Sequence, residues 1–171
     1  EPRVEDNALV RGIGRFSDDP RLPNQTYAAF VRSPHAHARI KSVDSTAALK
    51  SKGVLAVITA ADMKEANVVD IARHPPVAGR GGAKMIMPAR PALAGDKAMH
   101  GGDPVAMVVA ETLAQAIDGA DLVAVDYEQL PAVVDLDDAM KGKTQLYPQA
   151  TGNLCVDWAG PVENVENEKA V

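Results

Sequence analysis

The sequence predicts an α+β domain, and three observations support that fold class. Short segments that are apolar or alternate in polarity, as strands do, recur along the chain, and helical signals are confined to short stretches between them. Hydrophobic residues make up 46% of the chain, but aromatic residues only 4%, so the core is mainly aliphatic. Residues 72–104 include 11 Gly or Pro residues, which excludes regular structure from most of that stretch. We therefore expect a mixed β-sheet with short helices on it and one long Gly/Pro-rich loop.

The first half of the chain predicts strands joined by two short helices. Asp44 is placed to cap a helix over 45–51, which Gly53 follows. Thr59 is placed to cap a second short helix, which carries Met63. The strands are expected at 27–32, 37–43 and 54–58.

A strand, a helix and another strand are predicted next. The apolar run 105–110 indicates a strand, and Thr112 with Gln115 has the spacing of a capping box at the start of a helix. Residues 123–128 return as a strand, and we expect it to pair in parallel with 105–110 through a right-handed crossover. The helix is predicted to bury Leu113, Ala116, Ile117, Ala120 and Ala124 and to expose Gln115, Asp118 and Asp121.

Weaker signals surround this unit. Within the long loop only 84–87 favours an extended segment, and 131–134 favours a brief further strand. Asp135 is placed to cap a last helix that ends at Lys141 and Gly142. We expect the domain to span residues 1–147 and residues 148–171 to be a polar linker or tail that leads to another domain.

Composition excludes several classes of function. The net charge of −5 disfavours a nucleic-acid-binding surface, which would be basic. The single cysteine, Cys155, excludes an internal disulfide framework and a cysteine-ligated iron–sulfur cluster within this chain. No apolar run approaches the ~20 residues of a membrane span, and we expect a cytoplasmic, reducing location.

Two histidines could face one metal ion. His35 and His37 are two residues apart, so on a strand their side chains would point the same way. A zinc site needs three or four ligands, and no nearby residue completes the set. We interpret both as structural or interfacial histidines and predict no metal site.

Other candidate residues also have simpler explanations. Gly12 and Gly14 begin a dinucleotide-like pattern but lack a third glycine and a preceding strand, so a turn is expected. The carboxylates of Asp18 and Asp19 and of the group at 135–138 suit turns and helix caps. Cys155 has no adjacent histidine to activate it, whereas the indole of Trp158 in a polar tail suggests docking against a larger partner. The residues alone therefore predict no catalytic, cofactor-binding or metal site.

Five ordered motifs resemble one family. The most distinctive reads Ser33-Pro34-His35-Ala36-His37-Ala38-Arg39-Ile40, and Gly102-Asp103-Pro104-Val105-Ala106 follows about sixty residues later. The motifs are similar to the N-terminal a/b hammerhead domain of the large subunit of molybdenum hydroxylases, a family that includes xanthine dehydrogenase, aldehyde oxidase and aerobic carbon monoxide dehydrogenase. They lie at 11–19, 27–40, 53–62, 96–106 and 125–135.

The sequence departs from the family pattern in three places. Asp103 stands where the family usually has Glu or Gln, Gly101 replaces a bulkier residue, and residues 66–88 match no family pattern. The resemblance still implies a hammerhead-type fold for most of the chain.

The resemblance implies a redox enzyme whose chemistry lies elsewhere. The whole enzyme would use a molybdenum–pterin cofactor, with iron–sulfur clusters and FAD on partner domains or subunits, to hydroxylate a substrate or oxidise carbon monoxide. The family's pterin-binding and catalytic residues follow this domain, so this chain alone is expected to be inactive and to bind no cofactor. Its expected partners are the downstream molybdenum-cofactor domain and the iron–sulfur and flavin subunits, contacted through the long loop and Trp158. A stand-alone protein-binding or assembly module with the same fold is the alternative.

Overall fold

The computed structural model describes residues 3–16, 19–72 and 76–158. It confirms the α+β fold class. The strands are β1 Tyr27–Arg32, β2 Ala38–Asp44, β3 Val54–Thr59, β4 Lys97–Ala98, β5 Pro104–Ala110 and β6 Ala124–Gln129. The helices are α1 Asp6–Val10, α2 Thr46–Leu49, α3 Ala60–Glu65, α4 Leu113–Asp121 and α5 Leu136–Met140, and single 3₁₀ turns lie at Arg80–Gly82 and Thr151–Asn153.

The six strands form two separate antiparallel sheets of three strands. The first sheet has the order β1-β5-β3 and the second has the order β4-β2-β6. The expected mixed sheet with parallel pairing of β5 and β6 is therefore wrong, because these strands belong to different sheets. The rule for right-handed crossovers applies only where both strands share a sheet. Here the chain crosses from one sheet to the other through α4.

The core lies between the two sheets, and α4 contributes to it. Val108 at the centre of the first sheet is fully buried and has Ala29 and Val57 as its cross-strand neighbours. It forms a cluster with Ala48 of α2 and Val123, which precedes β6. Side chains from both sheets surround that cluster: Val31, Val43, Val54, Val57 and Val125. Aliphatic residues thus supply the core, as the composition predicts.

Helix α4 packs on the first sheet through its smallest residues. Ala116 and Gly119 are buried, whereas Leu113 and Ile117 are 51% and 48% exposed. A Cβ atom on Gly119 would lie 2.8 Å from Cγ2 of Val54 and 3.0 Å from Cγ1 of Val108. The predicted buried face is therefore wrong for Leu113 and Ile117, because close approach of the helix backbone to the sheet requires small residues. Ala124 belongs to β6 and is exposed.

The helix starts follow the predicted capping residues. The amide of Gln115 donates to Oγ1 of Thr112, and the amide of Asp138 donates to Oδ1 of Asp135. At α3, both the amide and the hydroxyl of Thr59 donate to Asp62, each at 2.7 Å. Side-chain caps of this kind replace the missing intrahelical partners of the first turn.

Other local predictions differ from the structure. Asp44 accepts a hydrogen bond from the amide of Thr46, but the helix it precedes is only four residues long. Residues 84–87 make one isolated bridge, from Lys84 to Ala78, and residues 131–134 form no strand. Among the described residues, no helix is both long and apolar enough to cross a membrane.

Candidate docking site

Two of the family-like motifs meet directly at the ends of β1 and β5. The amide of Ser33 donates to the carbonyl of Asp103 at 2.9 Å, and the amide of Gly102 donates to the carbonyl of Ser33 at 2.8 Å. Nη1 of Arg32 also donates to the carbonyl of Gly102 at 2.9 Å. Gly102 has a φ of +82°, a conformation that favours glycine. The motifs therefore fix the geometry of one turn.

The side chain of Asp103 stabilises the turn that contains Gly102. Its Oδ2 accepts a hydrogen bond from the amide of Met99 at 2.8 Å and lies 3.4 Å from Nδ1 of His100. The side chain of Asp103 is 17% exposed, whereas that of His100 is 69% exposed. Asp103 stands where the similar family usually has Glu or Gln, and its shorter side chain closes the turn at 99–103 through this carboxylate contact.

The two histidines of the first motif have separate partners. His35 packs edge-on against Tyr127, with 5.2 Å between ring centroids and 70° between the ring planes. His37 is buried, and its Nδ1 lies 2.7 Å from the carbonyl oxygen of Pro131. Because a carbonyl only accepts, Nδ1 is the donor in this contact. His35 and His37 therefore contact different segments of the chain, at Tyr127 and Pro131.

Two buried polar atoms near this junction have no hydrogen-bond partner among the described residues: Nε2 of His37 and the hydroxyl of Tyr127. Burial raises the pKa of Tyr127; the Ser33 hydroxyl nearby opposes this rise and the negative charge of Asp103 adds to it. The Ser33 hydroxyl already donates to the carbonyl of His35 and accepts from the amide of His35. The junction thus combines the buried Ser33 and His37 with a half-buried Tyr127.

The long loop lines a concavity next to this junction. A cavity of about 750 Å³ lies between the loop and the segment after α5. Its volume is in the range typical of binding pockets. Burial raises the pKa of Tyr147 in its wall, with further contributions from Asp103 and Cys155. The apolar part of the lining includes Ile71, Met85, Met87, Met99 and Tyr147.

Backbone hydrogen bonds tie the loop to the C-terminal part of the described chain. The amide of Ile86 donates to the carbonyl of Cys155, and the amide of Arg80 donates to the carbonyl of Asp157, both at 2.8 Å. Trp158, the predicted docking residue, is 55% exposed beside this contact. The structure therefore brings the loop and the expected docking tail together, while Cys155 lines the cavity.

Sequence reasoning missed one surface. On the first sheet, the face opposite the core carries six apolar side chains, of which Ala28 and Phe30 are exposed and the other four are half-buried. We call it the outer face; it consists of Ala28, Phe30, Ala56, Ile58, Met107 and Val109. The signal was present in the unbroken apolar run of β5, which is typical of a strand covered on both sides.

The described residues gather no group of three or more His, Cys, Asp or Glu side chains that could hold a metal ion. The loop cavity is lined largely by aliphatic and thioether side chains, which do not suit the many polar groups of a pterin cofactor. The fold and its surfaces thus define an α+β domain with an apolar loop cavity.

Residues 11–131 match the family described as "Aldehyde oxidase and xanthine dehydrogenase, a/b hammerhead domain". The chain belongs to this family, which confirms the resemblance seen in the motifs.

Similar proteins are large subunits or large enzymes. The large chain of carbon monoxide dehydrogenase from Afipia carboxidovorans is 42% identical over 139 residues, 81% of this chain and 16% of that protein. Nicotine 6-hydroxylase large subunit from Paenarthrobacter nicotinovorans is 38% identical, over 82% of this chain and 16% of that protein. Xanthine dehydrogenase from Dictyostelium discoideum is 35% identical, over 81% of this chain and 9% of that protein.

Solved structures share the fold. Carbon monoxide dehydrogenase from Oligotropha carboxidovorans aligns with a TM-score of 0.70 and 41% identity, covering 84% of this chain and 16% of that chain. Quinoline 2-oxidoreductase from Pseudomonas putida 86 aligns with a TM-score of 0.74 and 35% identity, covering 84% of this chain and 18% of that chain. The chain therefore spans less than a fifth of the length of these relatives.

Proposed function

We propose that this chain is the N-terminal structural and docking domain of the large subunit of a molybdenum-cofactor oxidoreductase, of the hydroxylase or carbon monoxide dehydrogenase type. The observation that carries the proposal is 42% identity to a carbon monoxide dehydrogenase large chain over 81% of this chain. The domain spans residues 1–147, and residues 148–171 link it to a molybdenum-cofactor domain. The domain contributes no catalytic residue.

The roles of the motif residues support a structural function. Ser33, Gly102 and Asp103 use their backbone and side-chain groups to hold the turn between β1 and β5. His37 binds the carbonyl of Pro131, which lies in the last motif. The groups that the resemblance singles out are thus engaged in the architecture of the domain.

The whole enzyme would bind molybdenum–pterin outside this chain and would pass electrons to iron–sulfur and FAD partners. The cofactor would supply the oxidation chemistry. This chain would supply a rigid support, with the loop cavity and Trp158 as the contacts to the rest of the large subunit and its partners. Carbon monoxide, purines, aldehydes and nitrogen heterocycles remain candidate substrates, because the pocket is built elsewhere.

Introducing a charged side chain into the loop cavity by substitution tests the docking role proposed for this domain. The Met85→Lys variant of the native enzyme should lower the yield of assembled, molybdenum-containing complex at least about tenfold, because burying an unpaired ammonium group costs several kcal/mol. Turnover per bound molybdenum should stay unchanged with whichever of the four substrate classes the native enzyme oxidises. The measurements are metal analysis, subunit stoichiometry and dye-linked oxidation.

The matched control is Ala83→Lys, which adds the same charge at an exposed position two residues away, outside the cavity lining. It should assemble normally. Normal assembly of the Met85→Lys variant with reduced turnover per molybdenum would assign a catalytic role to this region and contradict the proposal. A native protein without molybdenum would also overturn it.

A further inference from the structure

We propose that residues 78–86 and 155–157 form a clasp, which closes one wall of the loop cavity and opens separately from the two sheets. The inference goes beyond the proposed function, because it concerns a movement inside the domain and holds whatever partner the cavity contacts. Residues 78–86 lie in the stretch that matches no family pattern, so the family pattern does not imply the clasp.

Two glycines make the tight turn of the clasp possible. Gly81 and Gly82 have φ values of +64° and +78°, in the left-handed region that favours glycine. The amide of Gly79 donates to the carbonyl of Ala83 at 2.8 Å across this turn. The loop sequence therefore specifies a hairpin that closes on itself.

Three contacts join the two halves of the clasp. The amide of Arg80 donates to the carbonyl of Asp157, and the amide of Ile86 donates to the carbonyl of Cys155, both at 2.8 Å. Nε of Arg80 also lies 3.5 Å from Oδ1 of Asp157. The backbones meet closely, since a Cβ atom on Gly79 would lie 3.1 Å from the carbonyl oxygen of Asp157.

The clasp is weaker than the sheets because it buries little apolar surface. Residues 80–84 are all exposed, and the side chains of the Arg80–Asp157 pair are 65% and 58% exposed. An exposed ion pair contributes little to stability. In β5, by contrast, Val105 and Val108 are fully buried. Segments with few buried apolar contacts and exposed backbone hydrogen bonds open locally before the core does.

Opening of the clasp changes the wall of the loop cavity. Ile86 and Cys155, which the clasp joins, both line the cavity, and so do Met85 and Met87 on either side of Ile86. Breaking the hydrogen bond between Ile86 and Cys155 would therefore separate two parts of the lining and widen the cavity. The hydrogen bonds that β5 makes to β1 and β3 would stay intact.

Amide hydrogen exchange at single residues of the native protein tests the inference. In the parent, the amides of Arg80 and Ile86 should exchange at least about tenfold more slowly than in an unstructured peptide. They should also exchange at least about a hundredfold faster than the amide of Val108, at the centre of the first sheet.

The Gly79→Val variant should open the clasp. Gly79 has a φ of −79° and a ψ of 173°, which valine adopts without strain, so the effect reports the contact with Asp157. Exchange at Arg80 and Ile86 should accelerate at least about tenfold, with exchange at Val108 unchanged. Maleimide labelling of the Cys155 thiol should accelerate at least about fivefold.

The matched control is Gly101→Val, because a Cβ atom added at Gly101 meets no atom within 4 Å. Exchange at Arg80 and Ile86 should then stay within about twofold of the parent. Amides of Arg80 and Ile86 that exchange as in an unstructured peptide, or as slowly as that of Val108, would overturn the inference.

Two further results of the Gly79→Val experiment would also overturn it. Equal acceleration at Val108 would mean that the clasp and the sheets open together. Faster exchange at Ile86 without faster labelling of Cys155 would remove the link to the cavity. The expected exchange in a native protein that contains no molybdenum would support the clasp and contradict only the proposed function.

Discussion

Among single residues, Gly119 sets how closely α4 approaches the first sheet. Its missing side chain leaves room for the methyl groups of Val54 and Val108, both of which are stiff because they branch at Cβ. Gly119 is conformationally costly in a helix, so its place there reflects packing rather than helix propensity.

We expect Gly119→Ala to lower the free energy of unfolding by about 1 kcal/mol, because overpacking of about 1–3 kcal/mol outweighs a helix-propensity gain of about 1 kcal/mol. Urea unfolding followed by circular dichroism measures it. The control is Gly101→Ala, where an added Cβ meets no atom within 4 Å, and its stability should change by less than about 0.5 kcal/mol. A Gly119→Ala variant more stable than the parent would contradict the packing described for α4.

The buried hydroxyl of Tyr127 makes no well-formed hydrogen bond to the residues that the structure describes, and only the Ser33 hydroxyl close by influences it as a hydrogen-bonding group. Removing such a group leaves no partner unpaired. We therefore expect Tyr127→Phe to leave stability at pH 7 unchanged, or raise it by up to about 1 kcal/mol. A loss of more than about 1 kcal/mol would mean that the hydroxyl has a partner.

The same variant has a predictable pH dependence. Because burial raises the pKa of Tyr127 in the folded state, folding favours the neutral phenol. That contribution is complete below the unfolded pKa of about 10 and is lost as pH rises through the higher folded pKa. Tyr127→Phe should therefore lose less stability than the parent above about pH 10, as measured by thermal unfolding from pH 7 to 11.

The side chain of Asn153 links the segment after α5 to the end of that helix through hydrogen bonds. It accepts from the amide of Leu146 and donates to the carbonyls of Ala139 and Thr144, with a φ of +57°. Asn153→Ala should weaken protection of the Leu146 amide in hydrogen exchange by about 2–3 kcal/mol, because it removes three hydrogen bonds and strains the backbone.

Asn67 is the matched control for Asn153. It also has a positive φ, of 54°, but its side chain makes one long hydrogen bond of 3.4 Å, to the carbonyl of Glu65. Asn67→Ala should cost no more than about 1–2 kcal/mol, mainly from backbone strain. Equal effects at the two sites would show that the side-chain bonds of Asn153 contribute little.

On the scale of elements, the caps were the most predictable part of the fold. Thr59, Thr112 and Asp135 each begin the helix predicted for them, because capping depends on residues only three apart in sequence. Burial of α4 could not be predicted in the same way. From the sequence pattern, Leu113 and Ile117 are predicted to be core residues. They point outward because the sheet packs closely against Gly119, which only the structure shows.

The cap of α3 has a pH dependence of its own. Hydrogen bonds from the hydroxyl and the amide of Thr59 lower the pKa of Asp62. The stabilisation is present above the unfolded pKa of about 3.9 and is lost as pH falls through the lower folded pKa. Asp62→Asn should cost up to about 1 kcal/mol at pH 7, because the charge at this exposed position is screened and the Asn oxygen can still accept from Thr59, and little below that range.

Chemical denaturation of the Asp62→Asn variant at pH 7 and at low pH checks this expectation. Asp118→Asn, on the exposed side of α4, is the control for simple removal of charge and should show less than about 0.5 kcal/mol at pH 7. A penalty for Asp62→Asn that stays constant across the acid range would rule out a contribution of the carboxylate charge to the cap.

For the molecule as a whole, the sequence predicted the fold class and family but not the sheet pairing. Five motifs in order specify a known fold, whereas local patterns do not distinguish strands that pair from strands that merely follow one another. The loop and Trp158 were predicted as contacts because their composition is unusual. The outer face was not, since recognising it requires the register of β1 and β3 against β5.

That pairing pattern has a consequence for synthesis of the protein. Strand β1 pairs with β5, which is synthesised about 75 residues later, and β2 pairs with β6, which is synthesised about 85 residues later. Neither sheet can be completed on the ribosome until most of the domain has emerged, so the early strands leave the exit tunnel without partners. A nascent chain stalled before residue 129 should therefore remain sensitive to protease and recruit chaperones, and one stalled well beyond it should not.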